Sequence, residues 1–106
     1  MVENHIFFEV PTPIGCRIQM TISSWEFIIT VKHPVMRGCE EDVENTLREP
    51  DEIRRSRSDP NVYLFYRAKR LGRWICVVAR RLNEEGFVIT TYPTDNIKEG
   101  ERIWSK

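Results

Sequence analysis

Residues 59–104 read DPNVYLFYRAKRLGRWICVVARRLNEEGFVITTYPTDNIKEGERIW, and the reading of this stretch decides the fold. Its side chains alternate in three runs divided by short turn-forming segments, the pattern of three consecutive strands. The first run, residues 62–68, sets Val62, Leu64, Tyr66 and Ala68 against Tyr63, Phe65 and Arg67. The second, residues 73–80, sets Trp74, Cys76 and Val78 against Ile75, Val77 and Ala79. Both of its sides are apolar, so it is expected to be the central strand, covered on each face. The third, residues 86–94, follows a turn at residues 82–86 and carries Thr90, Thr91 and Tyr92. An Asp59-Pro60-Asn61 turn opens the series.

Upstream, residues 40–47 (EEDVENTL) predict a helix: acids crowd the first turn, where they complement the dipole, and Val43 and Leu47 form an apolar stripe. Residues 53–58 (IRRSRS) read as a polar edge strand. Residues 23–33 (SSWEFIITVKH) support two readings. Trp25, Phe27, Ile29 and Val31 alternate as in a strand, whereas Ser23 and Glu26 have capping-box spacing and Pro34 follows as a helix stop. Residues 5–10 and 16–22 flank a Pro-Thr-Pro-Ile-Gly turn and predict a hairpin. The tail at residues 98–104 is expected to lay Ile103 and Trp104 on the sheet, and Trp25, Trp74 and Trp104 are assigned to the core. The expected fold class is α+β: an antiparallel four-stranded or larger sheet with one or two N-terminal helices packed on one face. A chain of 106 residues makes one domain, with residues 1–22 as an N-terminal hairpin arm.

The formal net charge is zero, yet the charges fall in blocks. Residues 40–52 hold seven acids against Arg48 alone, and residues 53–81 hold nine bases against Asp59 alone. Such segregation gives either a basic patch that attracts a polyanion or two blocks that neutralise each other. Cys16, Cys39 and Cys76 are odd in number and widely spaced, which suits neither a disulfide framework nor a zinc site. No apolar run approaches a membrane span, and residues 1–5 lack signal-peptide character, so a reduced, cytoplasmic protein is expected. Glycine-rich phosphate loops and the G-x-S-x-G elbow are missing, and no metal or cofactor is expected.

A series of short motifs runs through the chain: His33-Pro34, Thr46-Leu47, Pro50-Asp51, Ile53, Tyr66-Arg67, Val77-Val78, Gly86-Phe87-Val88, Thr90-Thr91-Tyr92, Thr94-Asp95, Lys98, Gly100 and Trp104. In order and type it resembles the phage-associated barnase/EndoU/colicin/RelE-like nuclease families, over roughly residues 25–106. The resemblance implies a barnase/RelE-like sheet, a helical reading of residues 23–33, and metal-independent ribonuclease activity. A nuclease this small is further expected to work as a toxin restrained by an inhibitor, or antitoxin, protein. Members of these families commonly carry a second histidine about where Phe27 or Ile28 stands here. That departure speaks against a two-histidine mechanism and for an alternative, a catalytically inactive RNA- or protein-binding module of the same fold.

Metal-free RNA cleavage needs a base for the 2′-hydroxyl, a cation for the phosphorane and an acid for the leaving 5′-oxygen. His33 is the candidate acid or base, against the alternative that it caps a helix C-terminus. Arg67 interrupts an apolar strand and offers a two-pronged phosphate grip, or else a cross-strand ion pair. Thr91 and Tyr92 offer hydroxyls, or merely suit a strand. Arg54, Arg55, Arg57, Lys69, Arg70, Arg73 and Lys98 are the candidate contacts to the RNA backbone.

Overall fold

Alternation in residues 59–104 produces the three-stranded meander it predicts. A computed structural model of the chain describes residues 5–106; residues 1–4, the start of the expected arm, lie outside the described residues. The strands are β1 (Ile6–Pro11), β2 (Arg17–Thr21), β3 (Glu52–Arg55), β4 (Val62–Arg70), β5 (Arg73–Leu82), β6 (Glu85–Thr94) and β7 (Glu101–Ser105). Two helices, α1 (Ile22–Phe27) and α2 (Glu40–Arg48), lie between β2 and β3. A π-helical turn at Ile28–Lys32 and a 3-10 turn at Pro34–Met36 connect them.

All seven strands join one open sheet in the order β1-β2-β6-β5-β4-β3-β7. Pairing is antiparallel except between β2 and β6, where Arg17, Ile18 and Gln19 run parallel to Glu85, Gly86 and Phe87. The α+β class is therefore as expected, and the sheet is larger than its four-stranded minimum. Gly86 makes the parallel junction feasible: a Cβ there would lie 2.3 Å from the Arg80 carbonyl oxygen and 2.8 Å from Ile18 Cδ1. Only a residue without a side chain permits so close an approach.

Burial separates the two faces of the sheet. Tyr63, Phe65, Ile75, Val77, Ala79 and Val88 enter the main core with Trp25, Ile28 and Ile29 of the α1 segment and Val43 and Leu47 of α2. Phe8, Val10, Ile18 and Met20 of the N-terminal hairpin belong to the same cluster. Leu64, Tyr66 and Cys76 form a smaller cluster on the other face, covered in part by Trp74, Val78, Tyr92 and Ile97.

Three local expectations need correction. The segment at residues 23–33 is helical through Lys32, with His33 outside the helix, but the cap is Thr21, whose hydroxyl accepts from the Ser24 backbone N–H at 3.1 Å, not Ser23. Burial of Trp25, Ile28 and Ile29 follows the three-and-four spacing of a helix, which outweighs the period-two alternation. β3 is an interior strand between β4 and β7, not an edge, and ends at Arg55; Ile53 on it is fully buried. Its polar look came from Arg54 and Arg55, whose heads lie over neighbouring structure. Finally, Trp25 is a core residue, whereas Trp74 and Trp104 are only partly buried. In the tail, Trp104 packs against the core and Ile103 stays exposed. No helix among the described residues is long and apolar enough to cross a membrane.

Candidate functional site

His33 stands between the π-helical turn and Pro34, at φ −143° and ψ 75°. A residue before proline is driven out of the helical region, so the Pro34 ring stops the helix at this point. The His33 backbone N–H donates to the Ile28 carbonyl at 2.6 Å and its own carbonyl accepts from Met36. Its imidazole is thereby left to approach β6, where its ring centroid lies 5.5 Å from that of Tyr92 at a tilt of 43°.

Tyr92 continues a row across three strands: Tyr66 on β4, Cys76 on β5 and Tyr92 on β6 stand opposite one another. Side chains one strand apart at the same level share a face, so both phenols flank the Cys76 sulfur. Burial pushes the Cys76 thiol up to about 11, while hydrogen bonds from Tyr92 and Tyr66 pull the other way. Both tyrosines are raised well above the ordinary phenol range, burial first and the neighbouring Cys76 next. Tyr92 therefore keeps its proton across the physiological range. Above this row lies Thr90, whose Oγ1 is enclosed without a hydrogen-bond partner. Thr91, one residue on, turns to the core; it is fully buried and donates to the Cys76 carbonyl at 2.8 Å.

Arg67 follows the phase of Tyr63 and Phe65, so it leaves the sheet on the helical side. It donates to the Glu49 carbonyl at 2.6 Å and lies 3.7 Å from the Glu49 carboxylate. Glu49 is the C-cap of α2, so this guanidinium satisfies a carbonyl that the helix leaves open. The groove beside Arg67 is lined by Arg48, Glu49, Pro50, Trp104 and Lys106. β5 and the thickness of the sheet separate it from the Tyr92 side chain. The structure brings His33 and Tyr92 together and seats Arg67 and Thr91 elsewhere.

Most of the basic block is spent within the fold. Arg54 binds Glu52 at 2.5 Å and, with Arg57, donates to the Gly100 carbonyl. Lys69 binds Asp42 on α2, which raises its pKa. Arg80 binds Asp59 at 2.6 Å, and Arg55 and Arg81 lie over the Tyr63 ring. Of the alternatives open in the sequence, mutual neutralisation of the acidic and basic blocks accounts for Arg54, Arg67 and Lys69. Arg70 and Arg73, at the β4–β5 turn, have no ion-pair partner among the described residues. Lys98 is exposed and borders a shallow groove with Arg57 and Glu99.

Among the described residues no group of three or more His, Cys, Asp or Glu side chains converges as metal ligands do. Sequence reasoning passed over Cys76 as one of three scattered cysteines. Its place between Tyr66 and Tyr92 depends on strand register, and the only local signal was that all three occupy the same phase of the alternation. Comparison with protein families, with characterised proteins and with solved structures returns no match.

Proposed function

We propose that this chain is a barnase/RelE-like, RNA-directed domain that cleaves RNA without a metal, with His33 and Tyr92 as its acid–base pair. The observation that carries the reading is the approach of the His33 imidazole to the Tyr92 ring, two residues brought together from distant parts of the chain. In this reading His33 takes the 2′-hydroxyl proton and the 2′-oxygen attacks the adjacent phosphorus. Tyr92, beside His33, supplies the proton to the departing 5′-oxygen. Arg67, committed to α2, does not meet the phosphorane's charge in this reading. The products are a 2′,3′-cyclic phosphate and a free 5′-hydroxyl. A cytoplasmic setting and an inhibitor, or antitoxin, protein that covers this corner belong to the same proposal.

A second reading is a binding module that keeps the fold and does not cut. It is favoured by the engagement of Arg67 with Glu49 and of Thr91 with the Cys76 carbonyl, which leaves neither free for phosphate.

The test is incubation of the purified chain with mixed RNA in EDTA, beside His33→Ala, Tyr92→Phe and Arg67→Gln. Cleavage to cyclic-phosphate ends by the parent is expected, with a loss of about 100-fold or more in the first two variants. Arg67→Gln should cut normally per folded molecule and lower the unfolding midpoint. RNA bound but uncut by the parent selects the module, and failure to bind RNA rejects both readings.

A further inference from the structure

On the face of the sheet opposite the helices, the β3–β4 turn meets the segment that leads into β7. Between them lies a groove of about 290 Å³, with Ser56, Arg57 and Ser58 on one side, Lys98, Glu99 and Gly100 on the other, and Leu64 of β4 beneath. The Gly100 wall is fixed in place. Arg54 and Arg57 both donate to its carbonyl, at 3.2 and 3.3 Å. Gly100 has φ +85°, and a Cβ there would lie 2.6 Å from the Arg55 carbonyl oxygen, so glycine alone lets the segment lie this close to β3. The groove is therefore formed before any ligand arrives.

Its chemistry is mixed in a way that folding does not use. Arg57, Lys98 and Glu99 are exposed, and none forms an ion pair among the described residues. Arg57 gives one N–H to Gly100 and keeps the rest of its fork free. The Ser56 and Ser58 hydroxyls lie 3.1 Å apart; one O–H serves the pair and the other remains to donate. The Glu99 carboxylate acts on the same face, since its charge helps to raise Tyr66, Cys76 and Tyr92. Leu64 stands two residues before Tyr66, and two strand spacings, about 10 Å, separate it from β6. A bare phosphate in the groove would gain the cations but meet Glu99. A neutral sugar would gain Glu99 and leave the cations unanswered. A phosphate joined to a sugar hydroxyl satisfies both.

We infer that this groove is a ribonucleotide subsite that tells RNA from DNA: Arg57 and the Ser56–Ser58 hydroxyls hold a backbone phosphate, and Glu99 accepts a hydrogen bond from the neighbouring 2′-hydroxyl. The inference rests on the RNA reading for the source of the nucleotide and on the groove's own chemistry for its binding. The carboxylate is selective because DNA offers no donor at that position, so Glu99 would lose water and gain nothing in return. A nucleotide held here leads the RNA across the open face toward Tyr92 and His33.

The experiment is an NMR titration of the full chain with uridine 3′-monophosphate, 2′-deoxyuridine 3′-monophosphate and inorganic phosphate, followed at the Ser58 and Gly100 backbone amides. Two variants accompany it, Glu99→Ala and Arg57→Gln; both positions are exposed, and Arg54 still holds the Gly100 carbonyl when Arg57 is replaced. The ribonucleotide should shift both amides and bind about tenfold more tightly than its deoxy counterpart. Glu99→Ala should erase that preference, and Arg57→Gln should weaken both nucleotides by about tenfold. Equal affinity of the parent for the two nucleotides, inorganic phosphate bound as tightly as the ribonucleotide, or a preference that survives Glu99→Ala overturns the subsite. RNA bound or cut by a chain whose Ser58 and Gly100 signals do not move also overturns the subsite while leaving the RNA reading intact. Uridine 3′-monophosphate held at these amides by a chain that binds no RNA keeps the subsite and removes the RNA reading.

Discussion

Cys76 shows how much one position owes to its strand neighbours. Its thiol is held at about 11 against an ordinary 9.0, chiefly by burial, and Tyr66 and Tyr92 are raised beside it. The folded chain therefore keeps these protons after the unfolded chain has begun to lose them. Ionisation favours the unfolded state as pH rises past 9.0, and the thiol's contribution is gone once pH exceeds about 11. Denaturant midpoints should accordingly be flat from pH 6 to 8 with respect to this row and fall through the alkaline range. A midpoint unchanged between pH 8 and 11 would contradict the arrangement. The same burial predicts that a thiol reagent at pH 8 labels Cys39 in the native protein and spares Cys16 and Cys76, as peptide mapping would report.

At the scale of elements, what the sequence revealed was local. The β4–β5–β6 meander, the β1–β2 hairpin and α2 could be read because alternation, turn residues and an acidic first turn sit within a few residues of one another. β3 was misread because its two arginines look solvated in sequence, whereas the pairing partner β7 that encloses Ile53 lies far along the chain. The candidate site divides the same way. His33 and Tyr92 could be named as residue types, but that Arg67 and Tyr92 leave opposite faces of the sheet follows from register. Two substitutions test these element assignments. Ile53→Ala should cost about 3 kcal/mol, the value for a buried aliphatic side chain, where an edge strand would lose far less. Gly86→Ala should cost about 2 kcal/mol through the clash with Arg80 and Ile18, with faster amide exchange in β2. Chemical denaturation of each variant supplies both numbers.

The whole molecule draws its main core from both ends of the chain. Phe8, Val10, Cys16, Ile18 and Met20 pack in the same cluster as Phe65, Val77 and Val88. Removal of residues 1–21 should therefore abolish cooperative unfolding rather than trim an appendage. A deleted chain that keeps a dispersed amide spectrum would refute that. The parallel seam between β2 and β6 has a further consequence for how the protein is made. As the polypeptide leaves the ribosome, the first hairpin emerges with its oily side bare and waits for a strand encoded more than sixty residues later. Until that strand arrives, the nascent hairpin is a sticky, half-finished surface. Loss of the seam would therefore be felt first in the yield of newly synthesised protein, before any change in the chemistry of the finished one.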